Sequence, residues 1–312
     1  LMQQVREGHD PVEDARAEVA PDTSLRDFVQ VHYIPHAKSR KRAWAPEQAL
    51  LDHHVLPAFG HQPLSAVSRM DVMRWHEQTH ANGYAVGTCN RILVLLRHIY
   101  NCAIRWEVIP KDTNPAQGVK PLKGAAHGER YLSDAELERL LAVLDDYAGR
   151  MVADIIHLLI FTGARKREVL DARWENIDRE RGILTVPRSK SGKPRYIQLS
   201  SAALEVINRQ FWTDQNPWVF PSPKTGRPLV SIFNAWNTIR HRAGLADVRL
   251  HDLRHSFASF LVNSGRSLYE VQALLGHANP RTTMRYAHLS QSSLRDAAEV
   301  VAGGAGRGAA VK

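Results

Sequence analysis

The chain is 312 residues long, about two domains at roughly 150 residues each, and long enough for both to bury a core. Its 44% hydrophobic and 23% charged residues are those of an ordinary globular protein and exclude a disordered, collagen-like or disulfide-stapled chain. Lys and Arg outnumber Asp and Glu by 41 to 32, and this net charge of +9 points to an acidic partner such as nucleic acid or an anionic surface, or to solubility alone.

The opening LMQQVREGHD carries charges where a signal peptide needs an apolar stretch, and no window approaches the roughly 18 apolar residues of a membrane span. Cys89 and Cys102 are the only cysteines, too few for a disulfide framework or a four-cysteine zinc site, so a reducing cytoplasm is the expected compartment.

Residues 1–22 have no apolar period and read as a linker, and a chain beginning at Leu1 is expected to have lost something upstream. Residues 23–116 read as a bundle of about four helices. Thr23 or Ser24 caps the first, and the second runs from about Ala45 to Gly60. Ser68 caps the third, which ends before Asn82 and Gly83. In the fourth, Ile92, Leu95, Leu96, Ile99, Ala103 and Trp106 recur at three- and four-residue steps, with Thr88 as its predicted cap.

Residues 117–130, with glycines, a proline and basic residues but no apolar face, read as an interdomain linker. A second domain is expected over 131–301. Ser133 and Glu136 form a capping box, MVADIIHLLIFTG is an apolar helix, and KREVLDARW is a short one. ILTVP and RYIQLS read as two strands joined by a turn at Gly192 and Pro194, and helices resume after Ser200. Residues 302–312 read as a flexible tail. The predicted fold class is mainly α with a small antiparallel β-sheet, a helical domain followed by an α+β domain.

Four local clusters in the second domain can carry chemistry. Arg165, in TGAR, follows a turn at Gly163 and precedes Glu168, so it either grips an anion or pairs with Glu168 on a helix surface. Lys190 lies in the strand-joining turn, where a mobile lysine can approach a substrate and where charged residues are also ordinary. In HDLRH, His251 and Arg254 share a helix face and could reach one phosphate. His251 and His255 also have zinc-helix spacing, but Asp252 stands where a zinc protease has Glu, and no further ligand cluster is evident. Finally, His277 in LLGH precedes Tyr286 by nine residues. Singly, either is compatible with packing.

In this order and spacing, the four clusters resemble the catalytic signature of the tyrosine recombinases, the phage integrase family. The resemblance is close over residues 131–289 and looser over 23–115. It implies an N-terminal core-binding (SAM-like) domain at 23–116, a catalytic domain at 131–301, and a missing arm-binding domain ahead of residues 1–22. It also implies that Tyr286 attacks a DNA phosphodiester to leave a 3′-phosphotyrosyl link and a free 5′-hydroxyl, with neither metal nor ATP and no cofactor. Arg165 and Arg254 would bind the non-bridging oxygens, whose charge grows in the transition state. Lys190 would protonate the leaving 5′-oxygen, with Lys193 in the same turn as its rival. His251 would exchange a proton with Tyr286, His277 would hydrogen-bond a phosphate oxygen, and Glu168 would orient its neighbours.

The partners implied are duplex DNA attachment sites, further copies of this chain as a tetramer on DNA, and DNA-bending or directionality proteins. A bacterial, nucleoid-associated cytoplasmic location goes with them. Lys38, Arg40, Lys41, Arg42, Arg91 and Arg97 are the expected phosphate contacts, with a solvated surface as the alternative. Apolar Leu294, Ala298 and Val301 mark a helix that packs on a neighbouring copy or on its own domain. The expected role is integration or excision of a prophage or genomic island. Alternatives are a Xer-type resolution recombinase, a type IB topoisomerase-like enzyme and a catalytically silent DNA-binding protein.

Overall fold

A computed structural model describes residues 23–40, 44–124, 130–187, 192–211 and 215–290. Lys41, Arg42, Lys190, the N-terminal linker and the segment bearing Leu294, Ala298 and Val301 lie outside the described residues. The chain divides into two compact units, Leu1–His127 and Gly128–Lys312.

In the first unit Ser24 accepts the Asp27 N–H and starts α1 (Leu25–Asp27), which continues through a π-helical turn at Phe28–Tyr33 into α2 (Ile34–Arg40). The next helix repeats that form, with α3 (Ala45–Leu50), a π turn at Leu51–Val55, and α4 (Leu56–Phe59). Each π turn is followed within two residues by a proline, Pro35 or Pro57. A proline ring collides with the carbonyl four residues back, and a widened turn relieves that collision. Ser68, the expected cap, also closes a capping box with Asp71 on α5 (Arg69–Ala81).

The longest helix is α6 (Val86–Arg105), whose buried Ile92, Leu93, Leu96, Ile99, Tyr100 and Ala103 form the spine of the core. Its cap is Ala85 rather than Thr88, which sits inside the first turn. The expected linker also starts later than residue 117. Asn114 donates to Arg97 O at 3.0 Å, and Asn90 makes two 2.9 Å hydrogen bonds with the backbone of Leu122. Ala116 and Val119 are buried in the core.

The second unit is built around α8 (Arg150–Thr162), which is apolar nearly all round and therefore buried. It packs against α7 (Asp134–Asp145), α9 (Lys166–Leu170), α10 (Ser201–Asn208) and α12 (Asp252–Asn263). The predicted Ser133–Glu136 capping box opens α7. The expected helix over KREVLDARW ends early, at Leu170, because Ala172 O and Trp174 N hydrogen-bond Val219 N and Pro217 O at 3.0 Å instead of continuing the helix.

The sheet has three antiparallel strands, β1 (Ile177–Asp178), β2 (Ile183–Val186) and β3 (Arg195–Gln198), where the sequence indicated two. The register pairs Val186 with Arg195 and Ile183 with Gln198. The remaining α-helices among the described residues are α11 (Phe233–Arg242), α13 (Leu268–Leu275) and the short α14 (Arg281–Met284). No helix among the described residues is long and apolar enough to cross a membrane.

Candidate active site

The end of α8 creates the first site element. Gly163 terminates the helix in the left-handed region (φ 59°), where a Cβ would lie 2.5 Å from the Phe257 ring and 3.0 Å from Leu275. The chain then turns into α9, which begins directly after Arg165. The Arg165 N–H donates to Glu168 Oε2 and its guanidinium to Glu168 Oε1, both at 2.8 Å. Glu168 is buried, and burial alone would raise its pKa. The Arg195 guanidinium, with Arg165, outweighs that and holds the carboxyl below its ordinary value.

Helix α12 carries the second element. Asp252, fully buried, accepts from the Arg249 backbone N–H at 2.7 Å and from its guanidinium, so this carboxylate anchors the start of the helix. His251 precedes it and lines both a cavity of about 280 Å³ beside Arg254 and Trp236 and a larger groove beside Arg165 and Trp218. Arg254 is buried and donates to Gly163 O and to Leu275 O, each at 2.7 Å, tying the ends of α8 and α13 together. Burial, then the cations Arg165 and Arg195, push its pKa down to about 9.

The third element follows α13, where Gly276 takes a left-handed conformation (φ 63°) and turns the chain toward His277. His277 Nδ1 lies 2.8 Å from Thr283 Oγ1. Burial and the charges of Arg254, Arg165 and Arg195 lower its pKa to about 4, so the ring is neutral near pH 7 in the absence of an anion. Tyr286 lies beyond α14 and is 1% exposed, packed with Ala258, Val262 and Leu275. Its hydroxyl meets His255 Nδ1 at 2.6 Å. The His251 ring lies 5.1 Å from that of His255, edge to face. Burial, followed by Arg254, also lowers the His251 pKa.

The structure therefore gathers Arg165, Glu168, His251, Arg254 and His277 into one basic cluster, with Tyr286 next to it through His255, whose ring meets that of His251. Lys193 lies on the hairpin, and Lys190 falls outside the described residues. Two site residues escaped sequence reasoning. His255 stands out in the sequence only for its zinc-like spacing, and its contact with Tyr286 spans 31 residues of sequence. Arg195, which opens the RYIQLS strand, is 6% exposed and ion-paired with Glu168. Its signal was strand alternation, since Arg195 shares the buried face of β3 with Ile197.

In the first unit, Lys38, Arg40 and Arg91 are exposed. Arg97, expected among the DNA contacts, instead turns its guanidinium to Ala116 O at 3.1 Å and Val119 O at 2.9 Å. Those bonds give it a packing role.

Buried Arg195 and Arg254 beside a buried tyrosine make a site suited to holding an anion next to a nucleophile. The sequence model of the phage integrase family matches residues 130–293. Tyrosine recombinase XerC of Azotobacter vinelandii is 31% identical over 244 residues, 72% of this chain and 78% of that protein. Tyrosine recombinase XerA of Pyrococcus furiosus is 28% identical over 236 residues, 73% of this chain and 79% of that protein. Among solved structures, the Tn1549 transposon integrase in complex with a circular intermediate DNA gives a TM-score of 0.71 at 20% identity, covering 88% of this chain and 99% of that one. A lambda integrase tetramer bound to a Holliday junction gives 0.66 at 17% identity, covering 89% and 86%. Those two likenesses concern the fold. The chain belongs to the phage integrase family, the tyrosine recombinases.

Proposed function

We propose that the chain is a site-specific recombinase that cuts and rejoins duplex DNA through Tyr286, integrating and excising a prophage or genomic island. The observation that carries this reading is the convergence of Arg165 and Arg254 on one basic cluster that also holds His251 and His277. Each residue in it suits one phosphodiester. Arg165 and Arg254 bind the non-bridging oxygens, and His277 donates a further hydrogen bond once the phosphate anion offsets the surrounding guanidinium charges.

The Tyr286 oxygen forms a bond to phosphorus as the bond to the 5′-oxygen breaks. The tyrosine proton leaves through a histidine, and the 5′-oxygen gains a proton from Lys190. The phosphate ester energy stays in the protein–DNA link, so the reverse attack by a 5′-hydroxyl needs no ATP. Because Tyr286 is buried beside His255, cleavage requires its ring to leave that pocket. Residues 23–116 act as the core-binding domain and 131–301 as the catalytic domain, closing on duplex DNA as a tetramer, with Lys38, Arg40, Lys41, Arg42 and Arg91 on phosphates. DNA-bending proteins and a cytoplasmic, nucleoid-associated location belong to the same reading.

The names of the relatives matched along most of their lengths favour a second role, Xer-type resolution. One experiment separates these. Two direct copies of a duplex that the protein selects from a randomised pool are placed on a supercoiled plasmid. A recombinase releases a deletion circle, a topoisomerase only relaxes the plasmid, and a silent binder leaves it unchanged. Joining copies on separate plasmids favours integration, and deletion alone favours resolution.

A further inference from the structure

We infer that Arg195 is a positioning residue for the strand-transfer site, acting on Arg165 through Glu168 and on His277 through the turn at Gly276. The inference rests on the proposed recombinase reading and adds a residue to it.

Strand β3 places Arg195 on the buried face of the sheet. A buried guanidinium needs a counter-charge and acceptors, and here both terminal nitrogens have them while Nε has none among the described residues. One terminal nitrogen pairs with Glu168 Oε2, and the other donates to Leu274 O at 2.9 Å. Leu274 and Leu275 are the last residues of α13, and the second of their carbonyls is held by Arg254 at 2.7 Å. Two arginines from different elements thus hold adjacent carbonyls at the end of the helix that leads to His277. Arg195 also fills the space over Gly276, where a Cβ would lie 2.7 Å from Arg195 Cδ. The left-handed glycine is therefore needed for its backbone angle and for the passage of this side chain.

The electrostatic consequence concerns Arg165. Glu168 accepts from Arg165 through both oxygens and from Arg195 through one. Among these described groups, three guanidiniums (Arg165, Arg195 and Arg254) face one carboxylate, so the cluster keeps a net positive charge of two. A phosphodiester passing through a five-coordinate transition state develops a second negative charge, and that surplus matches it. Without Arg195, Glu168 neutralises Arg165 and draws its guanidinium inward. The loss falls on the transition state, while duplex affinity rests on phosphate contacts elsewhere.

The test compares wild type, Arg195→Met, Arg195→Lys and Arg195→Met/Glu168→Gln on a nicked suicide duplex of the pool-selected site. It measures the single-turnover rate of adduct formation, the Kd for the same duplex and the melting temperature. Arg195→Met is expected to slow cleavage by about 30-fold or more with Kd within about threefold. Arg195→Lys should recover part of the rate through its charge. Adding Glu168→Gln to Arg195→Met should restore rate, because the uncompensated carboxylate is gone. NMR titration of His277 gives a readout that needs no cleavage, and its pKa should rise in Arg195→Met.

Cleavage within threefold of wild type in Arg195→Met, or a His277 titration that does not move, overturns the inference. A rate loss matched by an equal loss of affinity also overturns it. If Arg195→Met does not fold, Arg195→Lys decides: an unchanged rate and an unchanged His277–Thr283 contact reject the role. A wild-type protein that forms no adduct rejects the recombinase reading itself, and the His277 titration then judges Arg195 separately.

Discussion

His255 Nδ1 lies 2.6 Å from the Tyr286 hydroxyl, inside a pocket walled by Ala258, Val262 and Leu275. The family resemblance implies that His251 exchanges a proton with Tyr286, and in the structure His255, one helical turn along α12, is the histidine in contact with the phenol. A hydrogen bond to a buried hydroxyl contributes about 0.5–1.5 kcal/mol net. His255→Ala should therefore lower the unfolding free energy by about that amount, and Tyr286→Phe should remove the same interaction from the other side. In urea denaturation the double variant should show about 1 kcal/mol of coupling; strictly additive losses would deny the contact a stabilising role.

The histidines make the fold acid-sensitive. Burial, then the neighbouring His251, lowers the His255 pKa from 6.5 to about 4. Between those values the unfolded chain binds a proton that the folded chain refuses. The contribution is thus complete above about pH 6.5 and is lost as pH falls toward 4, on the order of 3 kcal/mol for this residue. His251 and His277 shift in the same direction. Unfolding free energies measured from pH 7 to 4.5 should fall steeply, and His255→Phe should flatten that dependence.

Arg97 and Arg91 lie on the same helix yet should behave oppositely. Arg97→Met strips the donors from Ala116 O and Val119 O, costing about 1–2 kcal/mol of stability. It should leave the salt dependence of DNA binding unchanged. Arg91→Ala should spare stability and reduce the slope of log K against log salt by about one. Fluorescence anisotropy across a salt series, beside thermal melts, reads both.

Gly163→Ala should destabilise the second unit by more than 2 kcal/mol, roughly the sum of left-handed strain and overpacking. The added methyl meets Phe257 and Leu275 at a residue whose carbonyl holds Arg254. Thermal melting of the variant checks this, and a loss under about 1 kcal/mol would mean the turn tolerates a side chain.

Much of the fold was legible because its signals are local. The Ser68 cap, the Ser133 capping box, the stop at Gly163 and the apolar period of α6 each lie within one or two helical turns. What escaped depends on distant partners. Asn90 and Arg97 fasten residues 116–122, and Val219 and Pro217 take the hydrogen bonds that would have prolonged α9. Strand β1 has two residues, too short for alternation to register. The candidate site was legible as an ordered set of motifs. Its internal wiring was not, because Glu168 meets Arg195 and His255 meets Tyr286 only after β3 and α12 have packed.

Covalent capture tests the central claim most directly. A nicked suicide duplex of the selected site, incubated with wild-type chain and then denatured, should yield a protein–DNA adduct whose peptide map places the nucleotide on Tyr286. Tyr286→Phe should bind the same duplex with similar affinity and yield no adduct. A denaturant-resistant adduct in the Phe variant, or one mapped to another residue, would contradict the account.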